Sequence, residues 1–396
     1  MANILIGISG SVAAYKMPLL VRLLRKRGDN VRVVMTEAAK RFVTPITLQA
    51  LTGDAVRTEL FDEAAELGMS HIELARWADV YVVAPATANT LAKLAGGFAD
   101  NLLTTLALAT NAPLLIAPAM NQQMWKHEAV EEQVEKLAGR SNVHLALPDV
   151  GEQACGDVGS GRMVEPEMLL GYIDKALCHQ SLVGKKILLT AGATQERIDP
   201  VRYLSNDSSG KMGYALASEA WKRGAEVVLV SGKTALPTPV GVEKIEVQSA
   251  LEMYEQVMNR VSKVDWFVGC AAVADYRPEV RLEQKHKKNE HGVLTLKLIE
   301  NPDILASVAR LEERPICVGF AAESEHLLQY AREKRKRKGV DYMVANDIRD
   351  GVFGSDENRV IILSEQGEHA LPRQSKSALA GQIWDYLLQQ ERLCRC

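Results

Sequence analysis

Three side chains in the first half of the chain, His71, Asn121 and Cys155, are of types that move protons or hold polar groups. His71 opens the pattern Ser70-His71-Ile72-Glu73-Leu74, which predicts a helix running to Trp77. An imidazole there can transfer a proton near neutral pH, or it can be an ordinary group at a helix start. Asn121 follows an apolar run and the turn Pro118-Ala119-Met120, a place where Asn also occurs for conformational reasons. Cys155 lies in Gln153–Met163, which is too Gly-rich for a helix or strand and reads as a mobile flap. A thiol in such a loop can react, although most lone cysteines are inert.

The second half carries a different chemistry. Ser205-Asn206-Asp207-Ser208-Ser209-Gly210-Lys211 is a run of hydrogen-bonding groups leading into a helix that starts near Gly213. Backbone donors, hydroxyls and a lysine there suit a phosphate or a developing oxyanion; an elaborate capping loop is the competing explanation. Asp275 ends an apolar strand at Trp266–Gly269 and could help hold Mg2+. Arg281–Gly292 is charged, with Lys285, Lys287 and Lys288, and reads as an exposed arm. It is a solvated segment, or a place where a lysine closes over a triphosphate. Phe320 ends a further strand and could stack on a base. Lys334 and Lys338 are four apart on a helix over Glu325–Lys338 and so share a face.

The elements that must position these groups alternate between apolar strands and amphipathic helices. Asn3–Ser9 is a strand, and a helix over Ala13–Arg27 follows with the apolar stripe Leu19, Leu20, Leu23 and Leu24, ending at Gly28. Val31–Met35, Val80–Ala84 and Leu114–Ala117 are further strands. At Ile187–Leu189 the pattern starts afresh and ends in Thr190-Ala191-Gly192; Ile198–Arg202 then reads as an extended polar loop. Val227–Ser231, Ile316–Phe320, Tyr342–Ala345 and Val360–Leu363 are later strands, and Lys376–Gln390 is a final helix. The fold class is α/β, with two doubly wound parallel-sheet domains joined near Gly184. In such sheets ligands sit beyond the C-terminal strand ends. Those ends carry Ser9, Gly10, Ser11, Thr36, Thr87 and Asn89, which suit a phosphate monoester. The first turn is G-x-x-G, which argues for a mononucleotide over a dinucleotide; a plain helix cap explains any one of these turns equally well.

The 396 residues fit two domains, and 47% hydrophobic content can fill two cores. A net charge of -3 gives no overall pull toward nucleic acid or membrane. The basic helix end AREKRKRKG also has a helix-dipole explanation, and a single nucleotide fits better than nucleic acid. No apolar run reaches membrane-spanning length and no signal peptide is read. Six cysteines without C-x-x-C spacing look like reduced thiols, so a cytoplasmic location is expected.

Five segments in order, GSVAAYK (10–16), SHIELARWAD (70–79), APATANTLAKLAGGFADNLLT (84–104), PAMN (118–121) and ACGDVGSGRM (154–163), resemble the flavin-dependent cysteine decarboxylases. In the second half AGATQERIDPVRYLSNDSSGKMG, AAVADY (271–276) and KHKK (285–288) resemble phosphopantothenate–cysteine ligases. The fused order resembles the bifunctional enzymes of bacterial coenzyme A biosynthesis and covers essentially the whole chain.

The resemblance implies a flavodoxin-like FMN domain over 1–183 and a Rossmann-like, CTP-dependent ligase domain over 184–396. Cysteine would be joined to 4'-phosphopantothenate through an acyl-cytidylate, and the product decarboxylated to 4'-phosphopantetheine. It implies FMN contacts at Ser9, Gly10, Ser11, Thr36, Thr87, Asn89, Thr90 and Ala119. It makes His71 a base, Asn121 a holder of the substrate carboxylate or amide, and Cys155 the acid that protonates an enethiolate. In the ligase half it implies Asn206 on the activated acyl group and CTP held by Asp275, Lys285, Asp303, Ile304, Phe320, Lys334 and Lys338, with Mg2+ on the triphosphate. It also implies assembly into a homo-oligomer with FMN at a subunit interface. Ala193-Thr194-Gln195 and His286 depart from the family pattern without removing a proposed catalytic group. The alternatives are a flavoprotein acting on peptidyl cysteine, which needs no triphosphate site, and a regulatory flavoprotein, which need not keep His71, Asn121 and Cys155 together.

Overall fold

Period-two alternation within buried runs makes strands whose two faces serve two helical layers. In the computed structural model, residues 1–60, 70–153, 156–285, 294–323, 326–347 and 355–394 are described. They form two units, Met1–His179 and Gln180–Cys396.

The first unit is built on β1 (Asn3–Ile8), β2 (Asn30–Met35), β3 (Val80–Ala86), β4 (Leu114–Pro118) and β5 (Val143–Leu145), all parallel in the order β2-β1-β3-β4-β5. That is the flavodoxin-like order, whose crevice opens where the chain reverses direction between β1 and β3. Ile4, Ile6 and Ile8 pack with Leu20 and Leu24 on one face, and Leu5 packs with Tyr81, Leu91 and Leu103 on the other.

The helix expected over Ala13–Arg27 is divided. A 3-10 turn at Val12–Lys16 precedes an α-helix at Met17–Arg27, with Pro18 in its first turn, where a missing N–H costs nothing. The buried stripe is therefore Met17, Leu20, Val21 and Leu24, and Leu19 is 49% exposed. The Gly-rich segment is also not all loop. Val158–Arg162 is β7, paired antiparallel with β6 (Asp149–Glu152). Backbone pairing builds this ribbon and the Gln153 side chain braces it, donating to the Ser160 carbonyl at 3.2 Å; Gly161 (φ +135) lets it lie against the chain at Met120, whose carbonyl would be 2.4 Å from an added Cβ.

The second unit opens with β8 (Lys186–Ala191) and a short hairpin of β9 (Gln195–Arg197) and β10 (Tyr203–Ser205). β11 (Glu226–Ser231), β12 (Glu243–Glu246) and β13 (Trp266–Gly269) follow, and β14 (Tyr276–Pro278) pairs with β15 (Leu298–Glu300). β16 (Ile316–Glu323), β17 (Tyr342–Asp347), β18 (Glu357–Leu363) and β19 (Glu368–Ser375) come next. The main sheet runs β12-β11-β8-β13-β16-β17-β18-β19. Its first six strands are parallel, and β18 and β19 extend it antiparallel. β19 contains Pro372, which an edge strand tolerates. The switch point lies between β8 and β13.

Ile198–Arg202, expected to be extended, is a tight turn between β9 and β10. Asp199 is fully buried there, and its Oδ1 accepts from the Val201 and Arg202 N–H groups at 2.8 Å while Arg202 pairs with Oδ2. An Asp that closes its own turn explains why a polar segment folds inward.

Candidate functional sites

In the first unit, the ends of β1 and β3 are tied together by Ser9. Its hydroxyl donates to the Pro85 carbonyl at 2.7 Å and accepts from the Thr87 N–H at 3.1 Å. Ser9 is 1% exposed, so its side chain shapes the crevice from within. Gly10 is pressed on the turn after β2, where an added Cβ would stand 2.4 Å from the Ala38 Cβ. Thr36 accepts from the Ala39 N–H at 3.3 Å. Thr87 caps the helix Ala88–Gly96 and meets the buried Thr90 at 3.0 Å between hydroxyls, while Asn89 stands exposed on that helix.

A cleft of about 620 Å³ opens here, with Ser11, Ala119 and Asn121 among its lining. Tyr15 and Lys16, which the sequence reading passed over, line it too. Lys16 is buried, and its ammonium donates to the Met163 carbonyl at 2.8 Å and to Glu165 at 2.9 Å. Burial alone would raise the Glu165 carboxyl, but hydrogen bonds from Lys16 and Arg162 hold it below its ordinary value. Asn121 caps the short helix Gln122–Trp125, and its Nδ2 donates to Asp157 at 3.2 Å and to Gln153 at 3.4 Å. Both acceptors belong to the β6–β7 ribbon or its connection, so the ribbon closes one side of the cleft. Cys155 lies outside the described residues. His71 begins the helix His71–Trp77 behind a Ser70–Glu73 capping box and is not among the residues lining this cleft. Thr36, Thr87, Asn89 and Thr90 do not line it either.

In the second unit, two cavities meet beyond the ends of β8 and β13. One, of about 440 Å³, is lined by Asp275, Asp303, Ile304, Phe320, Lys334 and Lys338 among others. These six come from four separate parts of the sequence. Lys338 pairs with Asp303, which also caps the helix Ile304–Ala309 by accepting from the Ala306 N–H at 3.0 Å. Burial pushes the Asp303 carboxyl up, but Lys338 and the Ala306 N–H outweigh it and hold the group below its ordinary range. The other cavity, of about 540 Å³, is lined by Asn206, Ser208 to Gly213 and Lys376 among others. Ala271, Val273, Asp275, Phe320 and Lys334 line both and form their common wall.

Asn206 donates to the Ala272 and Val273 carbonyls at 3.3 and 3.4 Å, which fixes its amide against that wall. The helix Lys211–Lys222 starts behind Gly210 (φ +76) with no side-chain cap, so its first N–H groups face the cavity region. Lys285 is exposed and lines neither cavity; Lys287 and Lys288 lie outside the described residues. The sequence reading missed Cys270, Asn346, Asn358 and Lys376, which also line the second cavity. Among the described residues, no cluster of three or more His, Cys, Asp and Glu could hold a metal, and no helix is long and apolar enough to cross a membrane.

Residues 1–178 match the family described as Flavoprotein, and residues 182–390 match the DNA/pantothenate metabolism flavoprotein C-terminal domain. The chain is 51% identical over 392 residues to the Coenzyme A biosynthesis bifunctional protein CoaBC of Vibrio cholerae serotype O1, covering 98% of each. It is 48% identical over 395 residues to the protein of the same description from Escherichia coli strain K12, covering 98% of this chain and 96% of that one. Among solved structures, that of the C-terminal domain of a Coenzyme A biosynthesis bifunctional protein CoaBC is similar at 37% identity and a TM-score of 0.47, covering 54% of this chain and 98% of the other.

Proposed function

This chain belongs to the family of bifunctional coenzyme A biosynthesis proteins, a flavoprotein decarboxylase domain followed by a ligase domain, and from that premise we propose how its residues divide the work. Residues 184–396 ligate cysteine to 4'-phosphopantothenate at the expense of CTP. Residues 1–183 then decarboxylate phosphopantothenoylcysteine to 4'-phosphopantetheine. The observation that carries the assignment is the pair of cavities sharing one wall: six nucleotide-contact residues named from sequence line one, and Asn206 lines the other.

In the ligase half, CTP occupies the Asp303–Lys338 cavity, with Phe320 against the base and Lys334 and Lys338 on the triphosphate. The carboxylate of 4'-phosphopantothenate enters from the Asn206 side and attacks the α-phosphate at the common wall. Pyrophosphate leaves, and the cysteine amine then displaces CMP from the acyl-cytidylate. The Asn206 amide, held by two backbone carbonyls, orients the activated acyl group. Asp275, a carboxylate in the common wall, would help hold Mg2+, and the ion would neutralise charge on the triphosphate. Lys285, exposed and outside both cavity linings, would have to swing in to reach the triphosphate.

In the flavoprotein half, the turn at Gly10-Ser11 and the hydroxyls of Thr36, Thr87 and Thr90, with Asn89, would hold the FMN phosphate, and Ala119 would lie against the cofactor. Support for a mononucleotide here is that Ser11 and Ala119 line the cleft and that Gly10, held against Ala38, lets the first turn lie close to the neighbouring strand end. FMN, when bound, would supply the hydride acceptor that opens the reaction and the donor that closes it. Asn121 holds the substrate carboxylate or amide at the cleft wall, His71 is the base, and Cys155 protonates the enethiolate. His71 is set apart from the cleft, which fits a site completed by a second copy and hence a homo-oligomer. The compartment is the cytoplasm.

The two reactions are tested separately. With 4'-phosphopantothenate and cysteine, the protein converts CTP to CMP and pyrophosphate. With phosphopantothenoylcysteine supplied, it releases CO2. In Cys155→Ser, CO2 release continues but an oxidised enethiol product accumulates; a normal yield of 4'-phosphopantetheine from that variant removes Cys155 from the mechanism.

A further inference from the structure

The Asn206 cavity has a wall that the ligase reading leaves without a task. Asn346 at the end of β17, Asn358 at the start of β18 and Lys376 at the start of the helix Lys376–Cys394 line this cavity and not its neighbour. All three are buried, at 8%, 5% and 7% exposure. Side chains this polar are rarely buried without something to meet. The Asn346 amide has no hydrogen-bond partner among the described residues. Asn358 accepts from the Arg359 N–H at 2.7 Å through Oδ1 and sits where the β18–β19 register shifts, a distortion that re-aims side chains. Lys376 is pinned at both ends, its Nζ donating to the Ser355 carbonyl at 2.7 Å and its N–H to the Asp356 carbonyl at 2.9 Å.

The same cavity receives the uncapped start of the helix Lys211–Lys222, with Ser208 and Ser209 before it. Its charged lining groups are Lys211, Lys334 and Lys376 against Asp207 and Asp275. Lys211 is paired with Asp356, and Asp275 and Lys334 belong to the common wall. Buried cation, amide donors and exposed helix N–H groups converge on one space, which is a setting for an anion with several acceptor oxygens.

We propose that Lys376, Asn346 and Asn358, facing the start of the helix Lys211–Lys222, bind the phosphate monoester of the acyl substrate and so select the phosphorylated acid over the free one. This rests on the ligase assignment above and names which end of the substrate this wall holds. The carboxylate end must reach the CTP α-phosphate at the common wall, so the phosphate end falls to the residues lining the Asn206 cavity alone. A monoester offers three oxygens and a charge near -2, which matches this number of donors better than the two oxygens of the cysteine carboxylate.

The test is steady-state ligation by the full-length protein, with each substrate varied in turn. Wild type must first ligate 4'-phosphopantothenate with CTP; if it does not, the ligase assignment fails before this proposal is reached. In Lys376→Met, the KM for 4'-phosphopantothenate rises about tenfold or more, as loss of a charged hydrogen bond requires, and the KM values for CTP and cysteine hold. The preference for 4'-phosphopantothenate over pantothenate falls by the same factor. Lys376→Arg recovers part of it, and Asn346→Asp raises the same KM further than Asn346→Ala, because it adds a like charge. CTP binding by calorimetry reports that the variants are folded. A rise in the cysteine KM instead, or an equal fall in kcat/KM for phosphorylated and free acids, overturns the proposal.

Discussion

Replacing Gly213 by Ala strikes the ligase half through packing alone. Gly213 lies in the first turn of the helix Lys211–Lys222, pressed on the end of β8. An added Cβ would stand 2.5 Å from the Ala191 Cβ and 3.3 Å from the Thr190 carbonyl oxygen. Carbon atoms in contact prefer roughly 3.5–4.0 Å, so the turn must retreat by about 1 Å. Neither Cβ can rotate away, because each is fixed to its backbone. Overpacking of this kind costs about 1–3 kcal/mol, which for a domain of this size lowers Tm by about 2–12 °C. The same retreat displaces Ser208 to Lys211, and a 1 Å misplacement at a reaction site can cost about 100-fold in rate. The assay follows CMP release for ligation and CO2 release from supplied phosphopantothenoylcysteine for the other unit. Gly213→Ala loses ligation and keeps decarboxylation. Adding Ala191→Gly removes the opposing Cβ, so the double variant is more stable and more active than Gly213→Ala alone. A Gly213→Ala protein that melts and ligates like wild type, or a double variant with no recovery, would refute the packing argument.

Three further outcomes follow from other parts of the chain. Ser9→Ala strips the Thr87 N–H of its acceptor and costs about 1–2 kcal/mol, read as faster hydrogen exchange at the ends of β1 and β3 with unit two unchanged. Burial pushes the Cys270 thiol up to about 12, from 9.0, so its thiolate is about a thousandfold scarcer at neutral pH; iodoacetamide leaves it unmodified in the native protein, and rapid labelling contradicts this. Lys338→Met raises the KM for CTP and releases the Asp303 carboxyl toward higher pKa. Because the folded pKa of Asp303 is depressed, its stabilisation is present at neutral pH and is lost as pH falls through that folded value; the Tm advantage of wild type over Lys338→Met should therefore vanish in acid, and an advantage independent of pH contradicts the pairing.

Four of the five strands of the first sheet were legible because buried strands announce themselves as apolar runs, with small and hydroxyl residues at their ends; β5, three half-buried residues at the sheet edge, gave no such run. Six of the seven residues that the family motifs name for the nucleotide come together in one cavity, and the seventh, Lys285, does not line it. What escaped has physical causes. Pro18 set the helix start that rotated the stripe onto Met17 and Val21, a one-turn effect that periodicity does not register. The β6–β7 ribbon is held by backbone bonds, so its glycines read as loop. β19 carries Pro372 and few apolar residues because it lies at a sheet edge. Asn346, Asn358 and Lys376 are scattered polar residues with no motif, and only the antiparallel extension brings them to one wall. A hint was available in Lys376, a cation opening a long helix where an acidic or neutral residue is usual.

The central claim is that both halves act in sequence on one substrate line. Mass spectrometry of a single mixture tests it most directly, with the protein, FMN, 4'-phosphopantothenate, cysteine, CTP and Mg2+ together. The account predicts CMP and 4'-phosphopantetheine in equal amounts, with phosphopantothenoylcysteine only transient. Intact CTP together with no conversion of added phosphopantothenoylcysteine would contradict it.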